Sequence, residues 1–276
     1  MKASDPLDII VVGAGIAGLS TGIALRNAGH NVTIYERSDL KNELGAAIHL
    51  SPNASRVLLS WGMDSEQAKF VIARSTYIAN GKSLKVFYEN ENTGIVERYG
   101  APWFFAHRVD FHNELKRLAL SPVNIGRPVK IIAGSKIESY DSEAGSVTLR
   151  DGTQHTADLV IAADGVHSIA GEAVLGYKNP AVPTDQTAFR FLIPTSAIAA
   201  DTTTAPFLDR DDGRFKIFTG DGKRLIWYPC RNNEEQNFVG IFEGGLKTAP
   251  EDWNIDCSLQ SLLDQYSDFD PTILAV

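Results

Sequence analysis

Residues 11 to 18 read VVGAGIAG, and the reading of that stretch decides the fold. It overlaps the apolar run LDIIVV at 7 to 12, the kind of segment a buried parallel strand shows. IAGLSTGIALRNAG follows, with Ile16, Leu19, Ile23 and Leu25 roughly on one helical face and Gly29 suited to the helix end. NVTIYE at 31 to 36 is β-branched and ends on Glu36. Strand, loop, helix and strand together span about 30 residues, the size of a βαβ unit.

Each glycine has a task at such a junction. Gly13 permits the tight turn, Gly15 lets backbone approach a pyrophosphate, and Gly18 lets helix and strand pack closely. The helix start offers N–H groups and a positive dipole end to phosphates. Glu36 closes the second strand, where a carboxylate can accept both ribose hydroxyls. The alternative is a glycine turn that merely packs. With strand, helix and terminal acid all in place, the reading is an adenine dinucleotide. NAD and FAD share this fingerprint, so the loop does not choose between them.

Composition narrows the classes. The 276 residues are 43% hydrophobic and 22% charged, an ordinary folded balance long enough for one large domain or two modest ones. A net charge of -8 argues against a nucleic-acid or membrane-surface partner. No apolar run approaches the roughly 20 residues that span a bilayer. MKASDPLD does not look like a secretory signal, so the expectation is a cytoplasmic protein. Cys230 and Cys257 stand in unrelated contexts and are read as reduced thiols. The histidines fall in no HxxxH array and the cysteines in no CxxC pair, so no metal is expected.

Farther along, VIARSTYIANGKSLKVFYEN holds a hairpin signal at Asn80-Gly81 within a β-like stretch of about 71 to 99. A helix is predicted at about 109 to 120, then strands KIIAG, SVTLR and ADLVIAA, with a tight turn at Asp151-Gly152. TAFRFLIP, RFKIFTG, KRLIWYPC and NFVGIFE read as strands of a β-rich second half. The expected fold is α/β: a Rossmann-like βαβ nucleotide domain at 1 to 177, carrying the 71 to 99 hairpin as an insertion. A β-rich substrate domain at 178 to 276 follows, with the boundary near KNPAVPTD.

Four stretches share an order and approximate spacing: VVGAGIAG with YER at 35 to 37, LGAAIHLSPNASRVLLSWG at 44 to 62, HRVDFHNELKRLA at 107 to 119 and ADLVIAADGVHS at 157 to 168. In that order they resemble the single-component FAD-dependent aromatic hydroxylases similar to salicylate hydroxylase, over roughly residues 7 to 245. The resemblance implies that the nucleotide is FAD. Its ADP half would be held by Gly13, Ala14, Gly15, Ile16, Ala17, Gly18 and Glu36, with Arg37 beside the acid. Gly45, Ala46 and Ala47 would run along the ribityl chain, and Arg108 would direct its guanidinium to cofactor oxygens; a surface arginine at a helix start is the alternative. His107 reads as structural. Asp164 and Gly165 resemble a motif tied to flavin and nicotinamide binding, against the alternative of an ordinary strand-end turn. The family arginine three residues after DGVHS is replaced by Gly171.

Arg190 and Tyr228 match an arginine and a tyrosine that act on substrate in fungal phenol hydroxylases of this family. Such a pair would stabilise a phenolate; a paired sheet arginine and a core tyrosine are the alternative. The implied reaction is hydroxylation of a small aromatic substrate by O2, with FAD reduced by NAD(P)H and oxygen passed on from a flavin C4a-hydroperoxide. The family's second flavin signature, Gly-Asp-Ala-Ala-His-Pro, is not found; Gly220-Asp221 reads as a hairpin. The expectation is a C-terminally truncated chain whose exposed side a missing segment or a partner would cover. A catalytically impaired binding or regulatory fragment is the second reading, and a flavin-free NAD(P)-dependent reductase the third.

Overall fold

The computed structural model describes residues 5–41, 45–123, 125–180, 182, 184–209, 212–244 and 257–276. Leu44 at the head of the second motif, Gly245 at the end of the resemblance, and Ala181 and Pro183 within KNPAVPTD lie outside the described residues. Elements run β1 (Asp8–Val12), α1 (Ile16–Asn27), β2 (Asn31–Tyr35), β3 (Ala47–Leu50), α2 (Pro52–Ser60), β4 (Val71–Ile72), β5 (Ser75–Asn80), β6 (Val86–Glu91), α3 (Ile95–Tyr99), β7 (Phe104–His107) and α4 (Arg108–Leu120). Then come β8 (Lys130–Ile132), β9 (Ile137–Asp141), β10 (Ser146–Leu149), β11 (Gln154–Thr156), β12 (Leu159–Ala162), α5 (Ala170–Leu175), β13 (Gln186–Pro194) and α6 (Thr195–Ala200). A 3-10 turn at Ala205–Leu208, β14 (Arg214–Gly220), β15 (Lys223–Cys230), β16 (Glu235–Glu243), α7 (Leu259–Gln265) and α8 (Pro271–Leu274) complete the order.

The chain forms two compact units interleaved in sequence. One takes residues 1–44, 61–63 and 111–181; the other takes 45–60, 64–110 and 182–276. The first holds a parallel sheet in the order β12-β1-β2-β8 and an antiparallel sheet β11-β10-β9. The βαβ unit stands as read from the sequence. Ile10, Val12, Tyr35, Ile137 and Val147 form one of its core clusters.

The buried side of α1 is Gly18, Leu19, Gly22, Ile23 and Arg26. Ile16 and Leu25, expected on that face, are only partly buried. A charged residue takes the core position instead. Arg26 is fully buried, and its guanidinium donates to the carbonyls of Leu118, Ala119, Ser121, Ile125 and Gly126 at 2.8 to 3.1 Å. A fork of donors satisfies carbonyls at the end of α4 and in the loop after it, which offsets the cost of burying the charge.

The second unit holds a six-stranded sheet, β13-β16-β15-β14-β5-β6, and a three-stranded sheet, β3-β7-β4. The 75 to 91 hairpin is therefore a full part of the large sheet: β5 runs parallel to β14, with Lys216 opposite Tyr77. Its turn uses the Asn80 carboxamide, whose Oδ1 accepts from the N–H groups of Lys82 and Ser83. The Asp151-Gly152 turn joins β10 to β11, with Gly152 at φ 87°. The large sheet is double-faced. Trp227, Phe218, Phe238 and Phe191 pack on one side with Ile198, Tyr266, Phe269 and Ile273. Tyr228, Cys230, Phe215, Ile226 and Leu192 pack on the other, against Ala47 and Phe105 of the smaller sheet. Both cysteines are free. Among the described residues no helix is long and apolar enough to cross a membrane.

Candidate functional site

In the first unit the glycine loop leaves the C-terminal end of β1, between β2 and β12. Gly13 has φ 99° and donates its N–H to the Tyr35 carbonyl at 2.8 Å. A Cβ there would stand 2.4 Å from the Ala163 carbonyl oxygen. A Cβ on Gly18 would lie 1.8 Å from the Gly13 carbonyl oxygen, so α1 starts pressed against the loop. Gly15 differs. It is the N-cap of α1, no side chain caps it, and a Cβ there would meet nothing within 4 Å. That combination leaves open space in front of a helix start, which suits an anion. The loop residues Ala14, Ile16 and Ala17 lie between these glycines.

Glu36 stands at the end of β2, partly exposed. Its two carboxylate oxygens accept from the N–H groups of Ala14 and Ser38, each at 2.7 Å. The acid is thus already fixed against the loop. Arg37 beside it is exposed. Asp164 and Gly165 follow β12 after Ala163, and the Asp164 Cα is 3.3 Å from where a Gly13 Cβ would be. The Asp164 carboxylate accepts from the Tyr140 hydroxyl at 3.0 Å and the Ile169 N–H at 3.2 Å. Burial, and then the Asp164 charge, push the Tyr140 hydroxyl well above the ordinary phenol range, so it stays a donor. The first unit therefore brings Gly13, Gly15, Gly18, Glu36, Asp164 and Gly165 to one sheet end. One contributor lay outside the sequence reading: His112 of α4 is fully buried, and its Nε2 is 2.7 Å from the Ala14 carbonyl oxygen, which requires a proton on that nitrogen.

The second unit gathers the other expected residues. The Gly45 to Ala47 segment enters β3, which pairs with β7 so that Ala47 faces His107. The Arg108 N–H donates to the Ala46 carbonyl at 3.0 Å. A Cβ on Gly45 would be 2.6 Å from His107 Cε1, so only glycine allows this approach without movement. His107 is buried, as its structural reading requires, and burial holds its pKa below the ordinary value.

The Ala47 peptide is held from both sides. Its N–H donates to Asn237 Oδ1 at 2.9 Å, and its carbonyl accepts from the Tyr228 hydroxyl at 2.8 Å. Tyr228 is 4% exposed, and burial raises its hydroxyl pKa. Arg190 lies on β13 opposite Val239, and its exposed cation lowers the Tyr228 pKa against the larger burial effect. The two residues expected at a substrate are thus within electrostatic reach of each other, and the tyrosine hydrogen is given to backbone. His49, two residues beyond Ala47, was not singled out by any sequence pattern. Its ring meets those of Trp103, Phe105, Phe215 and Tyr228 at centroid distances of 4.4 to 5.5 Å.

The chain is similar to known proteins. Residues 8–75 match the family model described as FAD dependent oxidoreductase. An FAD-dependent monooxygenase of Aspergillus candidus is 40% identical over 284 residues, covering all of this chain and 65% of that protein. Hispidin-3-hydroxylase of Neonothopanus nambi is 30% identical over 280 residues, covering 96% of this chain and 65% of its own length. The chain thus spans just under two thirds of both relatives. Among solved structures, the Klebsiella pneumoniae protein HpxO, crystallised with FAD and uric acid, superposes with a TM-score of 0.78 at 22% identity. It covers 98% of this chain and 64% of its own, a likeness of fold.

Proposed function

We propose that this chain, a homologue of the FAD-dependent monooxygenases along its whole length, binds FAD and serves the hydroxylation of a small aromatic molecule. The observation that carries the reading is the open space at Gly15 before an uncapped helix start, with Gly13 and Gly18 packed too tightly for any side chain.

The chemistry of the first unit's glycine loop suits the ADP half of the cofactor. Gly13, Ala14, Gly15, Ile16, Ala17 and Gly18 would present backbone to the pyrophosphate. Glu36 would offer its carboxylate to the ribose, with Arg37 alongside. Gly45, Ala46, Ala47 and Arg108 would attend the ribityl end, and Asp164 and Gly165 would close the strand end. When bound and reduced by NAD(P)H, FAD supplies the oxygen chemistry with O2.

The protein's own part is placement and electrostatics. Arg190 would stabilise the phenolate form of the substrate, whose ring attacks electrophilic oxygen more readily. Tyr228 would wall the substrate side with its ring while its hydroxyl keeps the Ala47 carbonyl in place. The apolar face around them, with Leu192, Phe215 and Ile226 partly buried, would exclude water from the reacting ring. Neither proton transfer nor metal coordination by a side chain is required for that part.

The test is NAD(P)H oxidation by the FAD-supplemented chain, with and without a panel of phenols, and analysis for hydroxylated product. Stimulation by phenols with product formed supports the reading. Flavin binding with no phenol dependence in either oxidation or product would leave only a flavin-binding protein.

A further inference from the structure

His49 sits in a cage that none of the assigned roles uses. It lies on β3 opposite Phe105 of β7. Phe215 of β14 and Tyr228 of β15 meet it edge-on at 4.8 and 4.4 Å, and Trp103 closes a further side at 5.5 Å. All of these residues belong to the second unit, and His49, Trp103 and Phe215 keep part of their surface exposed.

A histidine in such a place needs an explanation. None of the four rings makes a hydrogen bond to the imidazole, the Tyr228 hydroxyl being given to Ala47, and no described residue supplies one to either ring nitrogen. Neither nitrogen is among the sealed polar atoms that lack partners, so both remain partly reachable from outside. Unlike His107, which is nearly sealed beneath Gly45, His49 therefore presents polar atoms at an otherwise apolar, aromatic surface. That is the usual composition of a small-molecule site: flat apolar walls with one polar group that fixes orientation.

Arg190 marks the same side of the large sheet. It alternates on β13 with Phe189 and Phe191, which pack on the opposite core, and its charge is felt at Tyr228. A ligand lying against Phe215 and Trp103 would meet His49 as its hydrogen-bonding partner. Burial among the rings holds the imidazole pKa at about 4, so at neutral pH it is uncharged and keeps one lone pair free to accept.

We propose that His49 is the substrate-contacting residue that selects a phenol, accepting the hydrogen of the ring hydroxyl while the ring lies against the exposed parts of Trp103 and Phe215. On binding the hydrogen stays on the phenol oxygen, and no proton is transferred to His49. This assignment rests on the aromatic-substrate reading above and adds the group that recognises the hydroxyl.

The test is a calorimetric titration of the full chain with 2-naphthol and with 2-methoxynaphthalene, which keeps the ring system but cannot donate a hydrogen bond. The wild type should bind 2-naphthol about tenfold more tightly than the ether. His49→Phe, which restores a ring but accepts nothing, should lose the preference for 2-naphthol over the ether. His49→Leu gives the same reading if the larger ring is not tolerated, and His49→Gln, which keeps an acceptor, should retain part of the preference. A preference that survives in His49→Phe or His49→Leu overturns the assignment, as does equal binding of the two compounds by the wild type. In both of those outcomes the aromatic-substrate reading stands. If the wild type binds neither compound, that reading falls and the assignment with it.

Discussion

The Tyr228 hydroxyl donates to the Ala47 carbonyl at 2.8 Å, joining the middle of the large sheet to the first residue of β3, directly after Gly45-Ala46. A residue expected to work on substrate thus also fixes backbone expected to lie beside the cofactor. Tyr228→Phe should keep the ring packing and leave a buried carbonyl unpaired. A loss of about 1 to 2 kcal/mol in urea denaturation is expected. FAD affinity, measured by flavin fluorescence, should fall with it, because the Ala47 peptide is no longer held from both sides. Unchanged stability would show that this hydrogen bond contributes nothing.

Gly18 and Gly15 of the loop should respond differently to alanine. Gly18→Ala places a Cβ 1.8 Å from the Gly13 carbonyl oxygen, so the loop must move and the apo chain should be destabilised by about 2 kcal/mol or more. Gly15→Ala meets nothing within 4 Å at a φ of -70° that alanine adopts freely. Its apo stability should stay within about 0.5 kcal/mol of wild type. Thermal melts of the two variants without FAD decide this point.

Arg26→Met should be among the most destabilising substitutions in the first unit. It removes a buried fork that satisfies five carbonyls, and each acceptor left unpaired is costly. A loss of about 3 kcal/mol or more is expected in denaturant unfolding. Arg26→Lys should not restore it, because one ammonium cannot reach carbonyls arranged around a planar fork.

His49 should make the chain acid-sensitive. Its pKa is lowered by burial from 6.5 to about 4, so between those values the unfolded chain binds a proton that the folded chain refuses. Stability is therefore lost as pH falls through this window and is unaffected above it. Between pH 7 and pH 5 the wild type should lose up to about 2 kcal/mol more than His49→Phe. Urea titrations of both at the two pH values measure the difference, and equal losses would show that the folded imidazole protonates normally.

What the sequence makes legible follows from how local each signal is. The βαβ unit was readable because strand, glycines, helix and acid are contiguous, and each obeys a short-range steric or electrostatic rule. The hairpin at 75 to 91 was readable as a hairpin, but its parallel pairing with β14 joins segments more than a hundred residues apart and has no local signal. Arg26 reads as the polar end of a helix, and only the convergence of five carbonyls makes it core. His49 is one histidine in a strand, and its meaning arises from rings contributed by β7, β14 and β15, together with Trp103. Arg190 and Tyr228 were reached through family resemblance; the alternation that sets them apart from the Trp227 side of the sheet emerges from the packing.

The central claim is that FAD is held at the glycine loop, and the most direct test is equilibrium titration of the purified chain with FAD beside Gly15→Ala. Saturable binding by the wild type is predicted, weakened at least about tenfold in the variant while its unliganded melting temperature is unchanged. Absence of saturable FAD binding by the folded wild-type chain, or equal affinity in the two proteins, would contradict it.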